Sequence, residues 1–511
     1  MAKRNPPPPD LVPRSLAARM AQWRAEAKSW KPWPYQEQAL RLMLENGQFG
    51  LFLDPGLGKS STTLAALSIL FKKKLTKRAL VVAPLRVVYG VWPEEVCQWR
   101  EFRDLHVALA HGGDKDQVLR MLEPEHNVVL TNYESLPWLC GNPAHLKALD
   151  ADVLVCDELS RMKDSTIQRF RALRPHLAKF KRRYGLTGSP VPNSYMDLFG
   201  ECYVLDRGAT LGQYITHYRN RYFYPTGYQM REWALLPDSA EQINKAIAPM
   251  VLRLDAQDHL KLPNVLPDDV RRVDLPPAAR KEYDSIEDSL MSTLFTSPLV
   301  NSASARSKCC QLANGAVYVD PPPGDEEDWR RERRFKVMHE AKVEALVELV
   351  DELQGQQLLV AIDFHHDVAA VRKAMGEDIP CINGATTKGQ LTAYLDAWNA
   401  GRLPLLMVHP ASGGHGLNMQ KSHARHVCFF GLPDNYDYYD QLWRRVWRQG
   451  NQAPFMLKHF IVARDTVDVA KMKNLERKGT TQRTFLDAMR EYARERERGG
   501  KRWKGLKPGS L

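Results

Sequence analysis

The chain has 511 residues, more than one hydrophobic core usually serves, so two or more domains are expected, and 44% hydrophobic with 26% charged residues is the make-up of a soluble globular protein. Lys and Arg number 72 against 60 Asp and Glu, a net charge of +12, which favours a polyanionic partner and is also compatible with solubility alone. The eight cysteines show no C-x-x-C spacing, the N-terminus MAKRNPPPPD lacks the apolar core of a signal peptide, and no uncharged apolar run approaches membrane-spanning length. A zinc site, a disulfide framework and a membrane span are thus not indicated, and a reducing cytoplasm is the expectation.

In chain order, residues 1–30 hold a four-proline run and an Ala/Arg-rich stretch, and are expected to be a flexible tail leading into a short helix. In KPWPYQEQAL, Pro34 can start a helix and Gln36 presents an amide that can read an adenine edge, although a glutamine there is commonly a surface residue. Residues 51–61, LFLDPGLGKSS, then read as the end of a buried strand, a tight turn at Gly56 and Gly58, and a helix whose positive end faces the bend. An anion belongs there. Lys59 can meet β and γ phosphates and the Ser60 hydroxyl can ligate magnesium, as in a Walker A loop, but the pattern G-x-x-x-x-G-K-[ST] wants glycine where Leu53 stands. A Gly-Leu-Gly turn before a helix can also be purely structural.

ALVVAP (79–84), NVVLTNYESL (127–136), DVLVCDE (152–158) and YGLTGSP (184–190) are apolar runs ending in polar residues and separated by helix-length stretches. That alternation predicts a doubly wound parallel sheet with functional residues beyond the carboxyl ends of its strands. Asp157 and Glu158 leave such a strand together, so one carboxylate can hold magnesium while the other orients a water. From about residue 201 the pattern becomes irregular, aromatic and charged, and QINKAIAPMVLRL predicts a helix. The proline-punctuated run 261–277 reads as a linker, and the segment after it is rich in helix formers around an acidic loop at 320–328. LLVAIDF (358–364), PCIN (380–383), PLLMVHP (404–410), HVCFFG (426–431) and FMLKHFIV (455–462) predict a second sheet. HPASGGHGLNMQ (409–420) reads as a flexible loop, and QLWRRVWRQGN (441–451) as a helix with Arg445 and Arg448 on one face, able to meet a γ phosphate or simply solvated. The tail REYARERERGGKRWKGLK mixes cations with Trp503 and either lies on phosphates or is disordered.

The ordered set of segments resembles helicase superfamily two, and within it the Swi/Snf-type ATPases that move along double-stranded DNA, over residues 33–468. PYQ resembles the adenine-reading motif, DPGLGKS motif I, and VVAPLRVVYGVWPEEVCQW motif Ia with Trp92, Glu95 and Trp99. TNYESL is similar to motif Ib, DELSRMKD to II, LTGSPVPNSYMDL to III, ASGGHGLNMQ to V and QLWRRVWRQGN to VI. The wording HPASGGHGLN and the compact length most resemble versions encoded by bacteriophages. The resemblance implies an α/β fold with two RecA-like parallel-sheet lobes, a P-loop NTPase and superfamily-two helicase core, with helical insertions. The first lobe would cover 31–260 with an insertion at about 201–253, then a linker at 261–277, an insertion at 278–335, the second lobe at 336–480 and a basic tail at 481–511.

ATP and Mg2+ are the implied cofactors. Gln36, Asp54, Gly56, Gly58, Lys59, Ser60, Ser61 and Gly416 would line the nucleotide, with Ser60 and Asp157 on the metal. Lys59, Asp157, Glu158, Arg445 and Arg448 would be catalytic, the two arginines as fingers. Thr131, Thr187, Ser189, Asn193, Ser412 and Asn418 would contact DNA or couple it to ATP. The sequence departs from the family at His415, where an apolar residue is common, at Trp447 in place of histidine, and at Asn451 in place of glutamine, which bears on coupling rather than on core chemistry. The implied partner is double-stranded DNA, held through its phosphate backbone without regard to sequence, in the cytoplasm of a bacterial host and with no role for a membrane. A motor subunit of a nuclease or restriction system, and a non-catalytic ATP-gated DNA-binding module, are the alternatives.

Overall fold

A computed structural model describes residues 12–112, 114–191, 194–226, 232–296, 301–319, 334–413 and 417–498. The chain divides into two compact units, Met1–Leu260 with Thr480–Leu511, and Lys261–Gly479.

The first unit is built on seven parallel-paired strands: β1 (Gln48–Leu53), β2 (Ala79–Ala83), β3 (Val107–Leu109), β4 (Val128–Asn132), β5 (Val153–Asp157), β6 (Arg182–Thr187) and, after a two-stranded hairpin of β7 (Phe223–Thr226) and β8 (Glu232–Leu235), β9 (Val251–Leu254). Their order is β3-β4-β2-β5-β6-β1-β9. Every residue of β2 and β4 is buried, which is why these strands read as unbroken apolar runs: helices cover both faces, so neither face alternates with polar residues. Registers Phe52↔Thr187 and Asp157↔Leu186 bring the carboxyl ends of β1, β6 and β5 side by side. The segments after those three strands therefore share one edge of the sheet.

Two expectations change in this unit. The helix read through QINKAIAPMVLRL stops at Ile247, and VLRL is β9, paired with β1 from Gly50↔Val251 to Leu53↔Leu254. Pro249 accounts for the end of the α-helix, because it has no N–H for an α-helical bond; a tighter turn, Ala248–Met250, then leads into β9. The expected flexible tail is also largely anchored. A helix at Arg14–Ala25 buries Leu16 and Met20, Lys28 N donates to Gln98 O at 2.8 Å, and the Lys28 carbonyl accepts from Arg100 N at 2.9 Å. Residues 1–11 lie outside the described set.

The second unit holds β10 (Asn264–Val265), β11 (Asp269–Val273), β14 (Leu358–Ala361), β15 (Cys381–Ile382), β16 (Leu405–Val408), β17 (His426–Phe429) and β18 (Phe455–Ala463), again all parallel, with β12 (Ala316–Tyr318) and β13 (Phe335–Val337) forming a separate hairpin. The order is β18-β17-β14-β16-β15, with β10 and β11 both on the free side of β18. The stretch expected to be a linker thus supplies two edge strands. Its prolines were legible but the pairing partner of its Val-Arg-Arg-Val, Phe460 to Ala463 some 190 residues onward, was not. The insertion expected at 278–335 carries helices Pro277–Thr296 and Asn301–Asn314 and the hairpin, packed through Tyr283, Cys309 and Leu312. The acidic loop 320–328 lies outside the described residues, as does Trp503; the final helix spans Val467–Arg498. All eight cysteines are buried and unpaired, and no described helix is long and apolar enough to cross a membrane.

Candidate nucleotide site

Gly56 and Gly58 adopt φ of 94° and 73°, in the left-handed region that favours glycine. At Gly58 a Cβ would stand 2.2 Å from Gln36 Nε2, so only glycine lets the turn close against that amide. Gly58 is also the N-cap of helix Lys59–Lys72 and has no side chain to cap it with, which leaves the positive helix end to the loop's concavity. Lys59 Nζ donates to Leu53 O at 2.7 Å and to Asp54 O at 3.4 Å, and is folded back over the bend. Ser60 is half-buried at the first turn; Ser61 is buried and donates to Gly58 O at 3.0 Å, so its hydroxyl shapes the loop. Gln36 is buried too. Its Oε1 accepts from Trp33 N at 2.9 Å, capping its own helix, and its Nε2 donates to Leu57 O at 3.3 Å.

Asp54 has a structural task in the loop. Its Oδ1 accepts from Arg253 Nη2 at 2.9 Å and its Oδ2 from Ala256 N at 3.0 Å, so this buried carboxylate fastens the loop to the end of β9. Arg253 Nη1 also donates to Phe52 O at 2.9 Å, and Asp255 is a second acceptor. Sequence reasoning missed Arg253 altogether, because it sat in a stretch read as helix.

Asp157 and Glu158 follow β5 on the same edge. Burial, with Glu158 beside it, lifts the Asp157 carboxyl to about 6, against the opposing pull of the Trp92 N–H and the Lys59 charge. Trp92 Nε1 donates to Asp157 Oδ2 at 2.8 Å, and the backbone N–H of Glu158 also bonds this carboxylate. Glu158 sits at φ 63° and ψ 58°, a left-handed conformation that costs a non-glycine residue about 1 kcal/mol or more. Tyr133 holds it there: its hydroxyl lies 2.8 Å from Asp157 O and 3.2 Å from Glu158 O. Tyr133 stood in TNYESL without an assigned role; a tyrosine directly after an apolar strand gives no sign of its target.

Among the coupling residues, Thr187 is fully buried and its Oγ1 accepts from Ser189 N at 3.1 Å, so these two are one turn beside the loop. Thr131 is also fully buried and donates to Ala110 O at 2.8 Å, so its side chain bridges β4 to the end of β3. Asn193 and Gly416 lie outside the described residues.

In the second unit, Ser412 is half-buried on the short helix Pro410–Gly413, and Asn418 is exposed with its carbonyl accepting from Asn399 Nδ2 at 2.8 Å. Arg445 and Arg448 do not share a helical face. Helix Tyr436–Val446 ends before Trp447, whose ψ of 81° leaves the helical range, while Asn451 Nδ2 donates to Val446 O at 3.0 Å and closes the helix end. Arg445 is in the last turn and Arg448 is on the bend after it.

The first unit's residues fit a nucleoside triphosphate and a divalent cation. Left-handed backbone that favours glycine, a lysine over the bend and a carboxyl within that lysine's field are what a phosphate chain with a bound cation requires.

Residues 35–310 match the SNF2-related domain and residues 341–450 the helicase conserved C-terminal domain. Protein p41 of Acyrthosiphon pisum secondary endosymbiont phage 1 is 31% identical over 91% of this chain and 99% of its own length. The DNA repair and recombination protein RAD54B of Gallus gallus is 22% identical over 82% of this chain, which spans 50% of that protein. A solved SWI2/SNF2 ATPase core of Sulfolobus solfataricus in complex with dsDNA is 20% identical, covering 90% of this chain and 94% of its own, at a TM-score of 0.41. With two parallel-sheet RecA-like units, and with more than half its length and nearly all of a phage relative matched, the chain belongs to the SNF2-related family of helicase-like ATPases.

Proposed function

We propose that the chain is a DNA-dependent ATPase that translocates along double-stranded DNA in the cytoplasm of a bacterial host. The observation that carries this reading is the gathering of Lys59, Asp157 and Glu158 on one sheet edge, with Asp157 lifted to about 6 beside the Lys59 charge. Bound ATP supplies the phosphoanhydride and Mg2+ the positive charge that offsets its oxygens. Lys59 and the open helix N-terminus would hold the phosphates, Ser60 and Asp157 the cation, and Glu158 would take a proton from the attacking water. Arg445 and Arg448 are assigned to the charge that builds on the γ phosphate, and the Thr187–Ser189 turn to communication between loop and DNA. Sequence-independent backbone contact with the duplex accords with the +12 net charge.

Steady-state ATP turnover with and without duplex DNA tests this directly. Turnover is expected to rise with duplex and to vanish in Lys59→Ala. No turnover in the intact chain would leave an ATP-gated binding module, and an unchanged rate in Lys59→Ala would remove the loop from the site.

A further inference from the structure

The aromatic and charged stretch after residue 201 has no part in the ATP site. Residues 207–231 contain four arginines and five tyrosines but no Asp or Glu. Helix Ile215–Tyr222 lies within it and turns Tyr218 and Tyr222 inward, where Tyr218 packs on Phe199 at a ring distance of 5.6 Å. Tyr218 also donates to Tyr195 O at 2.8 Å, six residues after Ser189, so the helix is fixed to the segment that leads out of the Thr187–Ser189 turn. The exposed side chains are Thr216, His217, Asn220 and Arg221 on the helix, with Gln213 before it and Tyr224 on β7 directly after it.

Two large rings bracket this side. Tyr214 is 55% exposed and Tyr224 is 45% exposed, each too open to be part of a core. Arg174 lies over Tyr214 at 5.9 Å and over Tyr203 at 4.8 Å, adding a cation next to the first ring. Arg207 is exposed as well, and the nearest acid in the chain, Asp206, is engaged by Gly208 N at 2.8 Å and Thr210 N at 2.7 Å. The helix itself runs about 12 Å, close to the rise of three or four stacked nucleotides at about 3.4 Å each.

We propose that this face of helix Ile215–Tyr222, with Tyr214 and Tyr224 at its ends, grips single-stranded DNA. Open aromatic rings are platforms for base faces, and a duplex offers no base face to stack on them. Arg221 and Arg174 meet phosphates, while Gln213 and Asn220 offer amides to whichever base edge arrives, which gives grip without sequence preference. Four arginines in a stretch without Asp or Glu suit a polyanion. Strand displacement next to a duplex-bound motor would supply such a strand, and the link from Tyr218 to Tyr195 carries its capture toward the Thr187–Ser189 turn.

The test uses the full chain without ATP, so it reads out whether or not the ATPase proposal holds. Binding of a labelled oligothymidylate and of a labelled duplex is followed by fluorescence anisotropy. The double variant Tyr214→Ala/Tyr224→Ala is expected to weaken the oligothymidylate by about tenfold or more and to leave duplex affinity within about twofold. Tyr214→Phe/Tyr224→Phe, which keeps both rings, is expected to bind as the parent does. Arg221→Ala is expected to lower the slope of log affinity against log salt by about 0.7, the loss of one single-strand phosphate contact. Unchanged oligothymidylate binding in the double alanine variant overturns the proposal, as does an equal loss on duplex, which would make the face part of the duplex track. Tighter binding of oligouridylate than of oligothymidylate overturns the assignment to DNA.

Discussion

Arg253 and Asp54 pair at 2.9 Å although 199 residues separate them, and both are buried. The guanidinium on β9 thereby holds the first residue of the phosphate loop, and its second nitrogen holds the Phe52 carbonyl at the end of β1. Arg253→Met keeps much of the side chain's length but leaves Asp54 and Asp255 as buried carboxylates without their cation. A loss of about 3–5 kcal/mol is expected. It should appear as a lower thermal midpoint and weaker ATP binding together. An unchanged midpoint would show that the pair does not hold the loop.

The same pair marks the limit of what could be read from the sequence. Strands such as VVLTN and VLVCD were legible because burial on both faces selects continuous apolar runs, and the phosphate loop because its glycines and lysine are fixed by local geometry. β9 was not, since four residues after an amphipathic helix continue its pattern until Pro249 is given its weight. The partners of Asp54 and Thr131 were not legible for one reason. In a sheet covered on both faces there is no alternation to say which strand-end side chains look inward. Arg448 was placed on a helix because the sequence does not show that Asn451 closes the helix at Val446.

Tyr133 and Glu158 make a separable prediction. The Tyr133 hydroxyl touches both carbonyls of the Asp157–Glu158 pair, and the left-handed Glu158 backbone depends on such support. Tyr133→Phe is expected to cost about 1 kcal/mol of stability and to lower kcat while ATP affinity stays within about twofold. Glu158→Gln retains shape and binding but is expected to lose at least about a hundredfold in turnover. Equal loss of binding in either variant would make the pair structural. Equilibrium ATP binding alongside single-turnover hydrolysis separates the cases.

Acid should weaken the second unit through a buried histidine pair. His426 Nδ1 lies 3.0 Å from His459 Nε2, and His459 Nδ1 donates to Asp269 Oδ2 at 2.8 Å, which ties β17 to β18 and β18 to β11. Burial, then His459 and Arg425, push His426 down to about 4; burial lowers His459 as well, opposed by Asp269. An unfolded imidazole takes its proton near 6.5, so between about pH 6.5 and 4 the unfolded chain binds the extra proton. Stability therefore falls as pH falls, by about 1.4 kcal/mol per pH unit for one histidine in the middle of that window. Asp269 is held below its ordinary value, so its own contribution is lost only at lower pH. The thermal midpoint is expected to drop between pH 7 and 5, and to drop less in His426→Gln. Parallel slopes in the two proteins would exclude His426 as the source.

Arg448 leads to the sharpest test of the assigned finger. It stands on a bend fixed from three sides: Trp447 Nε1 donates to Pro263 O at 2.9 Å, Asn451 N to Arg448 O at 3.2 Å, and Asn451 Nδ2 to Ala424 O at 2.8 Å. A rigid bend costs little entropy when a guanidinium meets a phosphate, and a solvated surface arginine would have no use for it. Arg448→Ala is expected to slow hydrolysis by about a thousandfold with duplex affinity within about twofold. Arg448→Lys should not restore the rate, because an ammonium cannot reproduce the planar fork. Asn451→Ala leaves the arginine in place but frees the bend, so it should lower kcat while also lowering the thermal midpoint. Weaker duplex binding with normal hydrolysis in Arg448→Ala would instead make this residue a DNA phosphate contact, and only the arginine on the preceding helix turn, Arg445, would remain for the γ phosphate.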